Sequence, residues 1–280
     1  MNWRAKKVPS GHTIEGNATI KIKTIDEINE GETMRNIKLT IEYDGGRYDG
    51  WQRLGKDESS NTIEQKLLEV IRKMTNENVV LHCGSRTEVG VHAYEQVANF
   101  QTKSGMRPLE MKHYFNRYLP RDIAVTYVEE VAERFHAALN VKNVTYVYRI
   151  AVGDTIPVFD RKYVYYCFGK LNLDKMKEAS ELFIGTHDFK GFSSVKKSKK
   201  STVRTMESID IYSDGNEIQI TMKANDFLHN MARIIAGVLI EIGEEVQEPQ
   251  VIKEIFESQT RNEEIEMADA KGLFLQEIEY

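Results

Sequence analysis

The chain is poor in cysteine. Its 280 residues include two, Cys83 and Cys167, far apart and in no metal-ligand spacing. That excludes the disulfide framework of a small secreted domain and fits reduced thiols. Long apolar runs are also lacking: none approaches the ~18 residues a membrane-spanning helix needs. Met1-Asn2-Trp3-Arg4-Ala5-Lys6-Lys7 is not followed by an apolar signal core, so no secretion and a cytoplasmic location are expected. Asn17-Ala18-Thr19 matches a glycosylation acceptor, which carries no meaning without secretion. The seven histidines make no ligand spacing with cysteine or acidic residues, which argues against a metal site. Neither a glycine-rich nucleotide loop nor a Gly-x-Ser-x-Gly elbow occurs.

Positive charge is short as well, with 38 Lys and Arg against 43 Asp and Glu and a net charge of −5. Taken over the whole chain, that argues mildly against a nucleic-acid binder. The deficit is uneven. The stretch containing Lys196, Lys197, Lys199, Lys200 and Arg204 is strongly basic, whereas Asn262-Glu263-Glu264-Ile265-Glu266 is acidic. A local basic face can bind phosphates on an acidic molecule, and the same run reads equally as a solvated charged turn.

What is present is an ordinary globular composition, 41% hydrophobic and 29% charged, at a length comfortable for two domains. Residues 1–33 are polar and weakly patterned, an N-terminal extension expected to be poorly ordered, with one strand-like piece at Thr19-Ile20-Lys21-Ile22-Lys23. From Met34 the pattern sharpens. Residues 37–43 alternate as a half-buried strand, and Asp44-Gly45-Gly46 ends it with turn chemistry. Asn61 reads as a helix cap with Glu64 three residues on, and Ile63, Leu67, Ile71 and Met74 give that helix one apolar face. Val79-Val80-Leu81 and Val97-Ala98-Asn99-Phe100 read as strands around a charged, glycine-flanked loop. Pro108 opens a helix to Leu119, and residues 123–128 form a strand.

Strand, helix, strand, strand, helix, strand is the split βαβ order, and it recurs. Residues 144–150, a helix over 173–183, strands 208–212 and 217–221 about Asp214-Gly215, an apolar helix over 227–242 ended by Gly243, a helix over 249–258 and a strand over 273–278 complete a second set. The expected fold is therefore α+β, with two ferredoxin-like halves, 34–142 and 143–280, joined into a continuous, mostly antiparallel sheet. A cleft between such halves is the default ligand site.

Three features carry potential chemistry. Cys83-Gly84-Ser85-Arg86-Thr87-Glu88-Val89-Gly90-Val91-His92-Ala93 sets an arginine and a carboxylate two residues apart at a sheet edge, which reads either as a functional loop or as a surface ion pair. Tyr146 and Tyr148 share one strand face, as core residues or as a stacking platform for a base. Arg233 sits in a nearly all-apolar helix and needs either a route to water or a carboxylate, for which Glu88 is a candidate.

Together these stretches resemble the tRNA pseudouridine synthase A (TruA) family over residues 34–280. The resemblance rests on Glu42-Tyr43-Asp44-Gly45, Gly50-Trp51-Gln52-Arg53, the Ser85–Ala93 loop, Leu119-Pro120-Arg121-Asp122-Ile123, Arg134-Phe135-His136-Ala137, Thr145-Tyr146-Val147-Tyr148-Arg149, His187-Asp188-Phe189, Phe227-Leu228-His229-Asn230-Met231-Ala232-Arg233 and Gly272-Leu273-Phe274-Leu275. It implies a homodimer that isomerises uridine to pseudouridine in the anticodon stem-loop of tRNA without a cofactor; no metal and no membrane are expected from the histidine spacing and the short apolar runs. It implies that Glu88 starts glycosidic cleavage, that Arg86 grips the backbone or fills the vacated stack, that Tyr146 stacks on the flipped base and that Arg233 pairs with the carboxylate. Lys196, Lys197, Lys199, Lys200 and Arg204 are the expected phosphate contacts. One departure stands at the centre: Glu88 and Val89 occupy positions where the family reads aspartate and usually alanine or lysine. Glutamate carries the carboxylate ~1.5 Å further out. The alternative reading is therefore a weakened or inactive RNA-binding and remodelling protein of the same fold.

Overall fold

The computed structural model describes residues 34–52, 59–195 and 200–280. The expectations for residues 1–33, including the strand at 19–23, lie outside the described residues. Among the described residues, ten strands form one sheet: β1 (Arg35–Tyr43), β2 (His82–Cys83), β3 (His92–Thr102), β4 (Ile123–Val131), β5 (Asn143–Gly153), β6 (Tyr165–Phe168), β7 (Gly185–Asp188), β8 (Val203–Asp214), β9 (Glu217–Ala224) and β10 (Leu273–Glu279). The helices are α1 (Ile63–Thr75), α2 (Pro108–Tyr118), α3 (Leu173–Ser180), α4 (Met231–Gly243) and α5 (Gln250–Ser258).

The main path through the sheet is β4-β1-β3-β10-β5-β9-β8-β7, with β2 on β3 and β6 on β5. Pairing is antiparallel except for β10 on β3 and β5 on β6, so the expected α+β class with a mostly antiparallel sheet holds. The last strand is the seam. β10 lies parallel to β3, with Phe274 beside His92, and antiparallel to β5, with Leu275 beside Tyr146. It thereby joins the early strands β1, β3 and β4 to the later ones, β5, β9, β8 and β7.

The core follows from the apolar faces. Alternation along β1 buries Ile37, Leu39 and Ile41, and the helical spacing of α1 buries Ile63, Leu67 and Ile71 in the same cluster, with Met74 partly buried against it. α4 is buried along nearly its whole length because a second layer covers it. Its Gly237 is needed for that approach: a Cβ there would stand 2.1 Å from the Glu266 carbonyl oxygen.

Several local expectations are corrected. Thr62 caps α1, its Oγ1 accepting from the Gln65 N–H at 3.3 Å, while Asn61 donates its side-chain amide to the Arg47 carbonyl at 2.7 Å. Residues 79–81 are not strand: Val80 is 70% exposed, and pairing with β3 begins only at His82. The helix at 173–183 tightens into a 3₁₀ turn over Glu181–Phe183. The apolar helix at 227–242 starts four residues late, at Met231, because Asn230 is left-handed with φ +63°.

Candidate active site

The loop between β2 and β3 is fixed by bonds on nearly every residue. Gln96, wholly buried on β3, donates to the Ser85 carbonyl at 2.6 Å, and its Oε1 receives the Ser85 N–H at 3.4 Å. Tyr43 of β1 shares a hydrogen bond with Thr87 Oγ1 at 2.8 Å. The Trp51 N–H donates to the Thr87 carbonyl at 3.0 Å, and the Val91 N–H donates to the Glu88 carbonyl at 3.2 Å. Gly50, with φ +82°, lies beneath the turn; a Cβ there would stand 2.8 Å from the Thr87 oxygen and 3.2 Å from the Glu88 carbonyl carbon.

This frame turns Glu88 inward and Arg86 outward. Glu88 Oε1 accepts the backbone N–H of Asn230 at 2.7 Å, at the N-terminal end of α4. Burial pushes its pKa above the usual carboxylate range; the Asn230 N–H, Arg233 and His229 act in the opposite direction and only partly offset it. Val89 beside it is 60% exposed, so its extra bulk points to solvent. Arg86 is exposed, with no hydrogen bond or ion pair among the described residues.

Arg233 is brought to the carboxylate's neighbourhood but does not form the expected ion pair with it. Its Nε donates to the Ala268 carbonyl at 2.8 Å, and Nη1 reaches Asn230 Oδ1 at 3.5 Å. The late start of α4 accounts for this: Asn230 occupies the ground between the two charges. Arg233 therefore acts on Glu88 through space, and the carboxylate is not held down in pKa as a direct pair would hold it.

Tyr146, 3% exposed on β5, points its hydroxyl at Ser85 Oγ, 3.0 Å away, and receives Phe227 edge-on at 5.0 Å. Its pKa is driven well up, first by burial and then by the charge of Glu88. Tyr148 is fully buried and donates to the Asp269 carbonyl at 2.9 Å, a core role. β5 thus contributes a single tyrosine to the carboxylate.

The basic stretch is not brought to this site as one surface. Lys196, Lys197 and Lys199 lie outside the described residues. Lys200 is exposed. Arg204 is not a free phosphate ligand: it pairs with Asp226 at 2.9 Å and donates to the carbonyls of Ser201 and Val203, each at 2.9 Å. A charged groove that the run of lysines did not suggest lies elsewhere, a cavity of about 990 Å³ lined by Arg47, Arg161, Lys162 and Lys271 together with Asp44 and Asp122, with Arg47 paired to Asp122 and Lys271 to Asp269. Those cations come from three separate segments, so no local charge run announced them. Gln96 was also missed, since a lone glutamine in an apolar strand gives no signal until its partners are known.

One desolvated carboxylate, aimed by a backbone N–H beside a buried tyrosine at the seam of an α+β sheet, has the character of an enzyme site rather than of a surface ion pair. A family model described as tRNA pseudouridine synthase matches residues 39–139 and 179–280. The chain is 44% identical over 247 residues to tRNA pseudouridine synthase A 2 of Bacillus anthracis, covering 88% of this chain and 100% of that protein. It is 44% identical, with the same coverage, to tRNA pseudouridine synthase A of Bacillus sp. (strain KSM-64), and 43% identical, again with the same coverage, to tRNA pseudouridine synthase A 2 of Clostridium perfringens (strain 13 / Type A). The chain belongs to the tRNA pseudouridine synthase family.

Proposed function

We propose that the chain isomerises uridine to pseudouridine in tRNA with Glu88 as the carboxylate that initiates the reaction. The C1′–N1 bond of the target breaks, the uracil turns, and a C1′–C5 bond forms; C5 loses a proton and N1 gains one, so no external reactant is consumed. The observation that carries this reading is the hydrogen bond from the Asn230 N–H to Glu88, which aims a desolvated carboxylate. The binding-only reading is not favoured, since the relatives that match over their full length are named as synthases.

The finer assignments extend the same reading. Arg86, exposed beside Glu88, fills the space left by the flipped uridine or grips its phosphate. Tyr146 offers its ring to the base after Phe227, which now stands edge-on to it, swings aside. Arg233 supports the carboxylate through space. The target uridine lies in the anticodon stem-loop, Lys196, Lys197, Lys199 and Lys200 meet the backbone, and the working form is a cytoplasmic homodimer whose halves, 34–142 and 143–280, flank the bound RNA.

The experiment is incubation of the purified protein with unmodified tRNA, followed by mapping of pseudouridine, for wild type, Glu88→Asp and Glu88→Gln. Product from the wild type, retained by Glu88→Asp and lost from Glu88→Gln, is the expected result. Equal absence of product from wild type and Glu88→Asp overturns the reading.

A further inference from the structure

Asn230 occupies the N-cap position of α4 without capping it. An asparagine there ordinarily turns its side chain onto the second or third N–H of its helix. Here no such bond forms. The side chain is turned sideways instead: Nδ2 donates to Ser194 Oγ at 2.9 Å, and Oδ1 faces Arg233 Nη1 at 3.5 Å. The backbone is left-handed, with φ +63°. That conformation is unfavourable for any residue with a Cβ, although asparagine tolerates it best among the larger ones. Capping is given up and strain accepted, and the N–H so presented goes to Glu88 Oε1 at 2.7 Å.

We propose that Asn230 is a positioning residue for the isomerisation, its side chain fixing a left-handed backbone whose N–H aims the Glu88 carboxylate. The proposal rests on the reading of Glu88 as the initiating carboxylate. Ser194 and Arg233 hold the two ends of the amide, so neither the backbone nor the side chain of Asn230 turns independently. One carboxylate oxygen is thereby pinned. The carboxylate also receives the backbone N–H of Glu88 itself, so the Asn230 bond is the one that reaches it from outside its own residue. This accounts for a longer acid working at the site: with glutamate at position 88, the extra rotatable bond is restrained from the far side, by α4, as well as from its own backbone. The charged and titratable groups that act on or face Glu88 are Arg233 and His229 from the α4 end, Tyr146 from β5 and Tyr43 from β1; Arg86, on its own loop, is turned away. Asn230 contributes no charge among them, so its influence is geometric and dipolar.

The test uses the full chain and turnover kinetics on unmodified tRNA. Asn230→Gly keeps the left-handed backbone and the N–H but removes both side-chain bonds; kcat should fall on the order of ten- to 10²-fold with KM for tRNA little changed. Ser194→Ala, which frees one end of the amide, should fall in the same direction by less. Asn230→Asp keeps the shape and sets a negative charge beside Glu88, so the acid limb of the pH–rate profile should move to higher pH. A merely structural role would lower stability and leave the kcat of folded Asn230→Gly in place. Unchanged kcat in Asn230→Gly, together with an unmoved acid limb in Asn230→Asp, overturns the proposal while Glu88→Gln remains inactive. If Glu88→Gln itself keeps wild-type turnover, it is the reading of Glu88 that fails. Should Asn230→Asp melt early, the kcat values of Asn230→Gly and Ser194→Ala decide the matter alone.

Discussion

The loop at residues 84–92 and Arg204 both carry charge that the sequence singles out, and the structure holds them in opposite ways. In the loop, the backbone and uncharged side chains do the holding. Gln96, Tyr43, Trp51 and Gly50 secure Ser85 to Glu88. The two charged heads take little part in that holding: Arg86 has no hydrogen bond or ion pair among the described residues, and Glu88 accepts only backbone N–H groups, that of Asn230 and its own. At Arg204 the charged head itself does the holding, bound to Asp226 and two carbonyls. A charged residue is available for function when other groups fix its position, and a charge run in sequence does not say which case applies.

The largest effect expected from this contrast is at Glu88. Glu88→Gln keeps size and hydrogen-bonding capacity and removes the charge, so kcat should fall by about 10²–10⁴-fold while tRNA affinity stays near wild type. Single-turnover rates and filter binding check both. A comparable loss of affinity would mean that the carboxylate organises the RNA surface rather than the reaction.

Next in size is Gly50→Ala, which attacks the frame and leaves the charges alone. A methyl group at φ +82° is strained in itself, and it would press on the backbone of Thr87 and Glu88. A stability loss of roughly 1–3 kcal/mol is expected. Displacement of the loop should cost on the order of 10²-fold in kcat. Denaturant melts and turnover measured side by side would separate the two. Full activity in a destabilised variant would show that the loop tolerates movement and that its fixed geometry is not what makes Glu88 effective.

Protonation probes the same site more gently. Burial raises the Glu88 pKa above its unfolded value. A carboxyl shifted upward favours the folded state when protonated; that contribution is fully present below the unfolded pKa and is lost as pH rises through the folded one. Glu88→Gln should therefore melt higher than wild type near neutral pH, with the gap closing as pH falls through the folded pKa and gone below the unfolded one. In the wild type, the acid limb of the pH–rate profile should lie above the range of an exposed glutamate. A Gln variant that melts lower at neutral pH would mean that the ionised carboxylate is a net stabiliser there.

Much of the fold was legible because it rests on periodicity. The alternation of β1, the apolar stripe of α1, Pro108 at the start of α2 and Asp214-Gly215 at the β8–β9 turn each decide structure within a few residues. The parallel contact of β10 with β3 was not legible, since nothing local in either strand encodes its distant neighbour. At the site, the family motifs singled out Glu88, Arg86, Tyr146 and Arg233 as candidates. Their order along the chain could not show that Asn230 would take the place opposite Glu88 that Arg233 was expected to fill. That depends on a single left-handed residue, and asparagine is compatible with helix start and left-handed turn alike. The pairing of Arg204 was not legible for a related reason: Asp226 lies across a hairpin, invisible to a count of nearby charges.

The smallest effect belongs to the basic stretch. If Arg204 is committed internally, Arg204→Ala should leave the slope of log affinity against log salt for tRNA unchanged, since no phosphate contact is lost. Its cost should be to the fold and small, about 0–1 kcal/mol, because Asp226 is more than half exposed and the pair is screened. Lys200→Ala, at an exposed position of the same stretch, should instead flatten the slope by about 0.7–0.9 if its ammonium meets the RNA backbone. The two variants measured together remove one positive charge each from the same short stretch, so any difference in slope comes from where the charge sits and not from net charge. A flattened slope for Arg204→Ala would mean that the Asp226 pair opens on RNA binding, and the distinction between held and holding charges would then apply to the free protein alone.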